Sequence, residues 1–232
     1  MATSDPIQEM FSAIAPRYDL LNRVLSFSQD RSWRRRAAQE ACLPPGGVAL
    51  DVCTGTADLA IELARQYPHA SRILGADFSL PMLRLGVHKL TRARLSPFIS
   101  LQAASAEKLP YRDNSFDGVT VAFGIRNVSD RKQALAEMVR VVRPGGRVIL
   151  LEFTDPPGRL FGLLYRFYFH QILPRVGRVL SGHRSAYAYL PASVSAFPPP
   201  EILTVLLQEA GLYDVRYTLL SLGIVAVHVG VK

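Results

Sequence analysis

The strongest constraint on the fold is an alternation of short apolar runs with segments of helical periodicity over residues 48–153. The apolar runs span five to eight residues, a length typical of buried strands. Strands separated by helices form right-handed βαβ units, so the pattern predicts a parallel sheet. The predicted strands are residues 48–52, 71–77, 98–103, 116–123 and 147–153, and the helices between them are residues 59–66, 81–94 and 132–142.

The two ends of the chain add further elements. Residues 7–39 carry apolar side chains at helical spacing, and Pro16 predicts two helices that meet near Ala15. Residues 201–210 predict a helix that ends at Gly211, and residues 215–220 and 223–231 predict a closing hairpin. The expected fold is α/β, a doubly wound, mostly parallel seven-stranded sheet with N-terminal helices and a helical insertion before the last helix and hairpin.

Length and composition limit the class of protein. With 232 residues, 49% of them hydrophobic, the chain suits one domain and is too apolar to be disordered. Its two cysteines do not make a disulfide framework or a zinc site. No apolar run reaches the roughly 18 residues of a membrane span, and the first 30 residues lack a signal-peptide pattern, so we expect a cytoplasmic location. We expect one domain over 1–232, with a helical cap at 1–40 and a lid-like insertion at 156–197.

The chain is basic, with 27 Lys and Arg against 19 Asp and Glu, a net charge of +8. Such a surplus favours a polyanion or an anionic membrane surface as a neighbour. The alternative is a composition merely rich in arginine, because the positive charges form no long run.

Two segments indicate a nucleoside site, since ligands of parallel sheets bind beyond the carboxyl ends of the strands. Residues 51–58 follow the first strand, and Gly55 there allows a tight turn and a close ligand. The dinucleotide fingerprint is absent, and an ordinary strand-to-helix turn is the alternative. Asp77 ends the second strand about 20 residues later, where a carboxylate can accept both ribose hydroxyls or cap a helix.

Two more segments reach the same edge of the sheet. Ser105 and Ala106 follow the third strand at the height of an adenine, and residues 123–127 (Phe-Gly-Ile-Arg-Asn) follow the fourth, where a reactive group would lie. No P-loop, metalloprotease, serine-hydrolase or Cys/His motif is present in the sequence.

Six short motifs extend from the first helix almost to the C-terminus. They are Ala-Pro-Arg-Tyr-Asp-Leu-Leu-Asn at 15–22, Ser-Gln-Asp-Arg-Ser-Trp-Arg-Arg at 28–35, Phe-Gly-Ile-Arg-Asn-Val at 123–128, Arg-Pro-Gly-Gly-Arg at 143–147, Leu-Glu-Phe at 151–153 and Tyr-Ala-Tyr-Leu-Pro at 187–191. In them the chain resembles the class I S-adenosylmethionine-dependent methyltransferases, which have a Rossmann-like fold. It is most similar to the ubiquinone/menaquinone biosynthesis C-methyltransferase family, which includes demethylmenaquinone methyltransferases.

The resemblance implies a set of residues around S-adenosylmethionine. Asp77 would hold the ribose, and Ser105 and Ala106 would flank the adenine. The full expected cofactor set is Asp51, Gly55, Thr56, Asp77, Phe78, Ser105, Ala106 and Ala122. Three departures from the family's pattern are present: the first loop has less glycine than is usual, Ser105 stands where asparagine is usual, and Ala122 stands where some members have serine. We therefore expect weaker cofactor contacts.

The reaction implied is C-methylation of a prenylated hydroquinone. The first choice of acceptor is demethylmenaquinol or 2-phytyl-1,4-naphthoquinol, giving menaquinol or phylloquinol; the alternative is a polyprenyl benzoquinol of ubiquinone biosynthesis. Three residues are expected to be catalytic. Arg126 would stabilise a phenolate or orient a water, Asn127 would bind a quinol oxygen, and Tyr18 with Asp19 would close the cofactor site. The alternatives are a sheet-edge salt bridge for Arg126, a helix N-cap for Asn127 and simple packing for Tyr18.

The segment at 160–180 is rich in aromatic residues and arginine, which suits a lid over a polyprenyl chain or peripheral contact with an anionic membrane on its inner face. An ordinary core helix is the alternative. His170 and His183 lie in the insertion, and either is a candidate base. The expected partners are thus a lipophilic prenylated quinol, an anionic membrane surface and another copy of the chain in a homo-oligomer.

Three rival functions remain open. The basic charge is compatible with an RNA methyltransferase, although no RNA-binding motif supports nucleic acid as a partner and the segment after the fourth strand lacks the proline-aromatic pattern of base methylation. The others are a methyltransferase for another lipophilic acceptor and a non-catalytic cofactor-binding module.

Overall fold

A computed structural model describes residues 6–70, 72–156 and 184–232, together with residues 158, 162, 163, 165, 167, 168 and 171. Seven strands form one sheet in the order β3-β2-β1-β4-β5-β7-β6. Strands β1 to β5 pair in parallel, and β7 pairs antiparallel with both β5 and β6. The strands are β1 (Val48–Val52), β2 (Arg72–Asp77), β3 (Ile99–Ala103), β4 (Phe116–Ala122), β5 (Val142–Phe153), β6 (Tyr213–Leu220) and β7 (Val225–Val231). The predicted doubly wound, mostly parallel sheet is confirmed.

Seven helices are described beside the sheet, most of them within two residues of the predicted bounds. They are α1 (Pro6–Leu25), α2 (Gln29–Glu40), α3 (Asp58–Gln66), α4 (Leu80–Ala93), α5 (Arg131–Val141), α6 (Arg184–Ser195) and α7 (Pro200–Glu209). Residues 172–183 and several positions between 157 and 170 of the predicted insertion at 156–197, among them His170 and His183, lie outside the described residues. The division into a cap, a domain and a lid stays a prediction.

The N-terminal helical region breaks at a different place from the prediction. The first helix continues across Pro16, and the break falls at Phe27 and Ser28, whose φ angles are 51° and 61°. A proline inside a helix removes one backbone hydrogen bond, and its ring crowds the carbonyl of the preceding turn. Buried Ile14, Ala15 and Leu21 pack on both sides of it, so tertiary packing outweighs that loss.

The Pro-Gly-Gly segment at 144–146, between the predicted helix 132–142 and strand 147–153, is part of strand β5. Strand β5 begins at Val142, which pairs with Phe116, and the regular register resumes only at Gly118 with Arg147. Gly145 adopts φ 80° within this irregularity, a conformation that glycine reaches at no steric cost.

The core lies on both faces of the sheet. Helices α5 and α7 cover one face with Leu135, Met138 and Leu207, while α2 and α3 cover the other with Trp33, Ala37 and Leu63. A smaller cluster around Leu21 holds α1 over the carboxyl ends of the strands, where Tyr18 joins it. This arrangement leaves a recess between α1 and the strand ends.

Candidate active site

A cavity open to solvent lies at the carboxyl ends of β1, β2, β3 and β4, beneath α1; its space of about 840 Å³ includes the open mouth. All four loops predicted to meet at this edge contribute to its wall. Of the predicted site residues, the wall contains Tyr18, Gly55, Asp77, Phe78, Ser105, Ala106, Ala122 and Asn127. Asp51 and Thr56 line a smaller adjoining pocket, and Arg126 lines neither.

Asp77 is a buried carboxylate on the cavity wall. Its Oδ2 accepts a hydrogen bond from the Gly55 amide at 2.8 Å, and its Oδ1 accepts one from the Ser79 amide at 2.8 Å. Ser79, not Asp77, is the N-cap of α4. Burial raises the pKa of Asp77, although the bonds from the Ser79, Gly55 and Phe78 amides oppose that shift. A carboxylate has about four acceptor sites and these amides use three, so Asp77 can fix the loop and still accept a ligand hydroxyl.

The loop after β1 is built on Asp51. Its carboxylate accepts hydrogen bonds from the hydroxyls of Thr54 at 2.6 Å and Thr120 at 2.9 Å. Burial raises the pKa of Asp51 to about 6 against these two bonds. Asp51 therefore connects the loop after β1, through Thr54, to strand β4, through Thr120.

Glycine lets two backbone segments come close at this edge. A Cβ on Gly124 would lie 2.4 Å from the Cβ of Cys53, so only glycine fits there. Gly55 has φ 56°, and a Cβ on it would meet nothing within 4 Å. The first loop thus presents its backbone to open space, as a close ligand requires.

Ser105 and Ala106 form the wall beyond β3. The Ser105 hydroxyl accepts the Glu107 amide at 3.2 Å, and Ser105 makes an isolated bridge with Lys108. Ala106 is buried, with 8% of its surface exposed. The Ser105 hydroxyl and the Ala106 methyl group together suit contact with the edge of a flat ring such as adenine.

Arg126 forms a buried ion pair with Glu152. Its Nη1 donates to Glu152 Oε1 at 2.7 Å and to the Phe123 carbonyl at 2.6 Å, and the two side chains are 6% and 2% exposed. Its Nε has no hydrogen-bond partner among the described residues. Burial raises the pKa of Glu152, while Arg126 lowers it. The sheet-edge salt bridge that the sequence left as the alternative is therefore present, and sequence reasoning missed Glu152, although it lies in the Leu-Glu-Phe motif.

Asn127 lies in a 3-10 turn (Ile125–Asn127) on the cavity wall. Its Oδ1 accepts the hydroxyl of Tyr189 at 3.0 Å, and its Nδ2 donates to the Phe123 carbonyl at 3.4 Å. It is not a helix N-cap, because Asp130 accepts the Gln133 amide and caps α5. Two of the recognised motifs, around residues 123–128 and 187–191, meet through this bond.

Helix α1 is fastened over the site by a charged cluster. Asp19 accepts hydrogen bonds from Thr56 Oγ1 at 2.6 Å and from Lys89 Nζ at 2.8 Å. Lys89 also contacts Asp58, and it donates to Thr56 at 3.0 Å. Next to Asp19, burial raises the pKa of Tyr18, which also has a hydrogen bond with Asn22. The expected closure by Tyr18 and Asp19 thus has a physical basis, but no pattern in the sequence pointed to Lys89.

The wall has the features that a sulfonium nucleoside needs. A buried carboxylate faces it from β2, the glycine loop leaves room at β1, and a shallow turn follows β3. No cluster of His, Cys, Asp and Glu suited to a metal ion occurs in the described part of the chain. The donor set therefore fits S-adenosylmethionine.

Comparison with solved structures supports this reading of the fold. A methyltransferase of Thermotoga maritima described as S-adenosylmethionine-dependent has a TM-score of 0.65 at 21% identity, covering 97% of this chain and 99% of that chain. The [4+2]-cyclase SpnF has a TM-score of 0.63 at 17% identity, covering 97% and 95%. Since the same fold carries a cyclase, these likenesses establish architecture alone.

Comparison of sequences is more specific. The model of the ubiE/COQ5 methyltransferase family matches residues 1–232. The demethylmenaquinone methyltransferase of Deinococcus radiodurans is 51% identical over 226 residues, covering 97% of this chain and 92% of that protein. The ubiquinone/menaquinone biosynthesis C-methyltransferase UbiE of Geotalea daltonii is 48% identical over 228 residues, covering 98% and 97%. The chain belongs to the ubiE/COQ5 methyltransferase family and is an S-adenosylmethionine-dependent C-methyltransferase.

Proposed function

We propose that this chain methylates a ring carbon of a prenylated naphthoquinol, demethylmenaquinol or 2-phytyl-1,4-naphthoquinol, with a polyprenyl benzoquinol as the alternative acceptor. The observation that carries the proposal is the cavity, which joins the nucleoside wall at Asp77 to a wall of Phe123, Gly124 and Asn127. The relatives named above, a demethylmenaquinone methyltransferase and a ubiquinone/menaquinone biosynthesis C-methyltransferase, support a quinone substrate.

Residues at the carboxyl ends of the first four strands would hold the cofactor. Asp77 accepts the ribose hydroxyls, Phe78, Ser105 and Ala106 flank the adenine, and Gly55 and Ala122 leave room beside the sulfur. Asp51 and Thr56 also fix the first loop and α1. S-adenosylmethionine supplies an electrophilic methyl group when bound, so the protein's own contribution is alignment and exclusion of water.

Three residues would act on the acceptor. Asn127 is oriented by Tyr189 and can bind a quinol oxygen. Glu152 balances the charge of Arg126, but the Nε–H of that fixed guanidinium is unpartnered within the described residues; its donation to a quinol oxygen would favour the ionised hydroxyl and a more nucleophilic ring carbon. Tyr18 closes the wall from α1 and excludes water from the reacting carbon.

A competition assay tests the acceptor. The full chain is incubated with methyl-labelled S-adenosylmethionine and equal concentrations of a reduced prenylated naphthoquinone and a reduced prenylated benzoquinone lacking the methyl group. We expect mass spectrometry to show label on a ring carbon of the naphthoquinol at the higher rate. Faster labelling of the benzoquinol would select the alternative, and label on neither would overturn quinol methylation.

We also infer contact with a membrane surface that holds the acceptor. No described helix is long and apolar enough to span a bilayer. However, Phe27, two residues after α1, is 78% exposed, and the Tyr168 ring lies 6.0 Å from the Phe27 ring. Leu163 and Phe167, in the same stretch of chain as Tyr168, are 62% and 59% exposed. Exposed apolar side chains on a basic protein suit an anionic interface.

Vesicle flotation tests this contact. We expect the chain to float with vesicles containing an anionic lipid at low salt, and Phe27→Ser to reduce the floating fraction. Equal recovery of wild type and variant, or no flotation at low salt, would contradict the inference.

A further inference from the structure

A buried arginine that the catalytic proposal does not use lies beside the nucleoside wall. The Arg34 side chain, on α2, is 8% exposed and lines the smaller pocket of about 320 Å³. Asp51 and Asp58 line the same pocket. This pocket and the main cavity share four wall residues, so the two spaces adjoin: Tyr18, Cys53, Gly55 and Ala122.

The structural contacts of Arg34 use only part of its hydrogen-bonding capacity. Its Nη1 donates to Asp30 Oδ2 at 2.6 Å and to the Asp30 carbonyl at 3.3 Å, and its Cζ lies 5.3 Å from the centre of the Phe123 ring. A guanidinium has five N–H donors in a planar fork. Within the described residues, Nε and Nη2 make no hydrogen bond to the protein. A side chain this deeply buried with spare donors on a pocket wall indicates an anionic ligand group.

We propose that Arg34 binds the α-carboxylate of the amino-acid tail of S-adenosylmethionine. The proposal rests on the orientation given above, with the ribose at Asp77 and the adenine beyond β3. The tail must then leave the ribose past Gly55, which borders both spaces, and enter the pocket of Arg34. The carboxylate meets the guanidinium there, and the α-ammonium meets the carboxylates of Asp51 and Asp58, so the pocket complements a zwitterion.

The competing explanation is that Arg34 only docks α2 through Asp30 and Phe123. The two explanations differ in which ligands respond to the loss of the charge. S-adenosylhomocysteine carries the amino-acid tail, whereas 5′-methylthioadenosine has the same nucleoside and a thioether without the tail. A ligand-binding residue for the tail changes the affinity of the first compound alone, and a docking residue changes both.

Calorimetric titration of the full chain with both compounds separates the explanations. We expect wild type to bind S-adenosylhomocysteine more tightly, and Arg34→Met to weaken that binding about tenfold or more while changing binding of 5′-methylthioadenosine less than about threefold. Arg34→Lys keeps the charge without the fork, so we expect an intermediate loss, and it serves if the Met variant does not fold. Arg31→Met is the matched control, because Arg31 is an exposed arginine on the same helix, and it should change neither affinity.

Equal weakening of both compounds in the Arg34 variants would overturn the proposal, and so would equal affinity of wild type for the two compounds. Asp77→Asn tests the underlying orientation independently. Because both compounds carry the ribose, this variant should weaken both; if it weakens neither, the orientation fails irrespective of the result at Arg34.

Discussion

At the scale of single residues, the ion pair of Arg126 and Glu152 determines how the catalytic proposal can be tested. Replacing Arg126 alone leaves a carboxylate that is 2% exposed without its counter-ion. Loss of one partner from a buried pair costs about 3–5 kcal/mol of folding free energy. A drop in activity after Arg126→Met would therefore mix chemistry with stability.

The double variant Arg126→Met with Glu152→Gln separates the two effects. We expect it to recover most of the unfolding free energy lost in Arg126→Met, because the unpaired charge is gone. Its turnover with the quinol should stay low, while its affinity for S-adenosylhomocysteine stays near that of wild type. Urea unfolding and single-turnover assays measure these quantities, and turnover restored along with stability would assign Arg126 a purely structural role.

The close approach of Gly124 and Cys53 gives a second prediction. Gly124→Ala places a Cβ 2.4 Å from the Cβ of Cys53, and such overpacking costs about 1–3 kcal/mol. Cys53 has φ 53°, which glycine adopts easily, so adding Cys53→Gly removes the clash without backbone strain. We expect Gly124→Ala to lower the melting temperature and the double variant to regain part of that loss. Calorimetric melting of both variants checks this, and a double variant less stable than Gly124→Ala would refute the steric explanation.

At the scale of elements, the docking of α1 depends on one lysine between two carboxylates. Lys89 is 24% exposed and bonds Asp19 of α1 and Asp58 of α3. Removing the cation leaves both carboxylates facing the vacated position, so α1 should open more often. Lys89 and Asp19 are 70 positions apart in the sequence, so the residue pattern of α1 could not predict their contact.

Lys89→Met is therefore expected to speed amide hydrogen exchange over residues 6–25 by roughly tenfold, equivalent to ~1.4 kcal/mol of local opening. Exchange followed by mass spectrometry measures this, and the strands β4 and β5 serve as internal references that should not change. Adding Asp58→Asn removes one of the two like charges and should slow the exchange again. Unchanged protection in Lys89→Met would show that the apolar contacts of Leu21 hold α1 without the cluster.

The elements themselves were largely predictable. Strands β1 to β4 follow from runs of apolar residues, and α3, α4 and α5 follow from helical periodicity, because both patterns are local. The break between α1 and α2 was predicted wrongly, since the position of a helix end near Pro16 depends on what packs against the flanking turns. The route of the chain between β5 and α6 stays a prediction.

At the scale of the whole molecule, a buried histidine in the outer part of the sheet connects stability to pH. His228 on β7 is 1% exposed; its Nε2 lies 3.0 Å from the Pro200 carbonyl, and its Nδ1 has no partner among the described residues. Burial lowers the pKa of His228 below 6.5. The unfolded chain therefore binds a proton more readily than the folded chain, and this group's contribution to stability is complete above pH 6.5 and is lost as the pH falls below it.

We expect wild type to lose stability between pH 6.5 and 5 with a slope from this residue of at most about 1.4 kcal/mol per pH unit. His228→Gln keeps a donor for the Pro200 carbonyl and cannot titrate, so its urea midpoint should fall less over the same range. The comparison of wild type with His228→Gln is needed because Asp51 has a raised pKa of about 6 and changes stability in the opposite direction. The free-energy cost of burying its charge is relieved as the pH falls and the carboxylate is protonated. Parallel pH profiles for wild type and variant would contradict the assignment to His228.

The sequence by itself determined the class of fold, the edge of the sheet that carries the site, and the residues on the cavity wall such as Gly55 and Asp77. It could do so because strand and helix patterns are local and parallel strands bring their carboxyl ends together. Only the tertiary structure decided which groups pair: Arg126 with Glu152, Asp19 with Lys89, and Arg34 with one nitrogen bound and two spare. Such pairings depend on distances between segments far apart in the chain, and the free energy that selects them comes from burial and counter-charge, which no local pattern records.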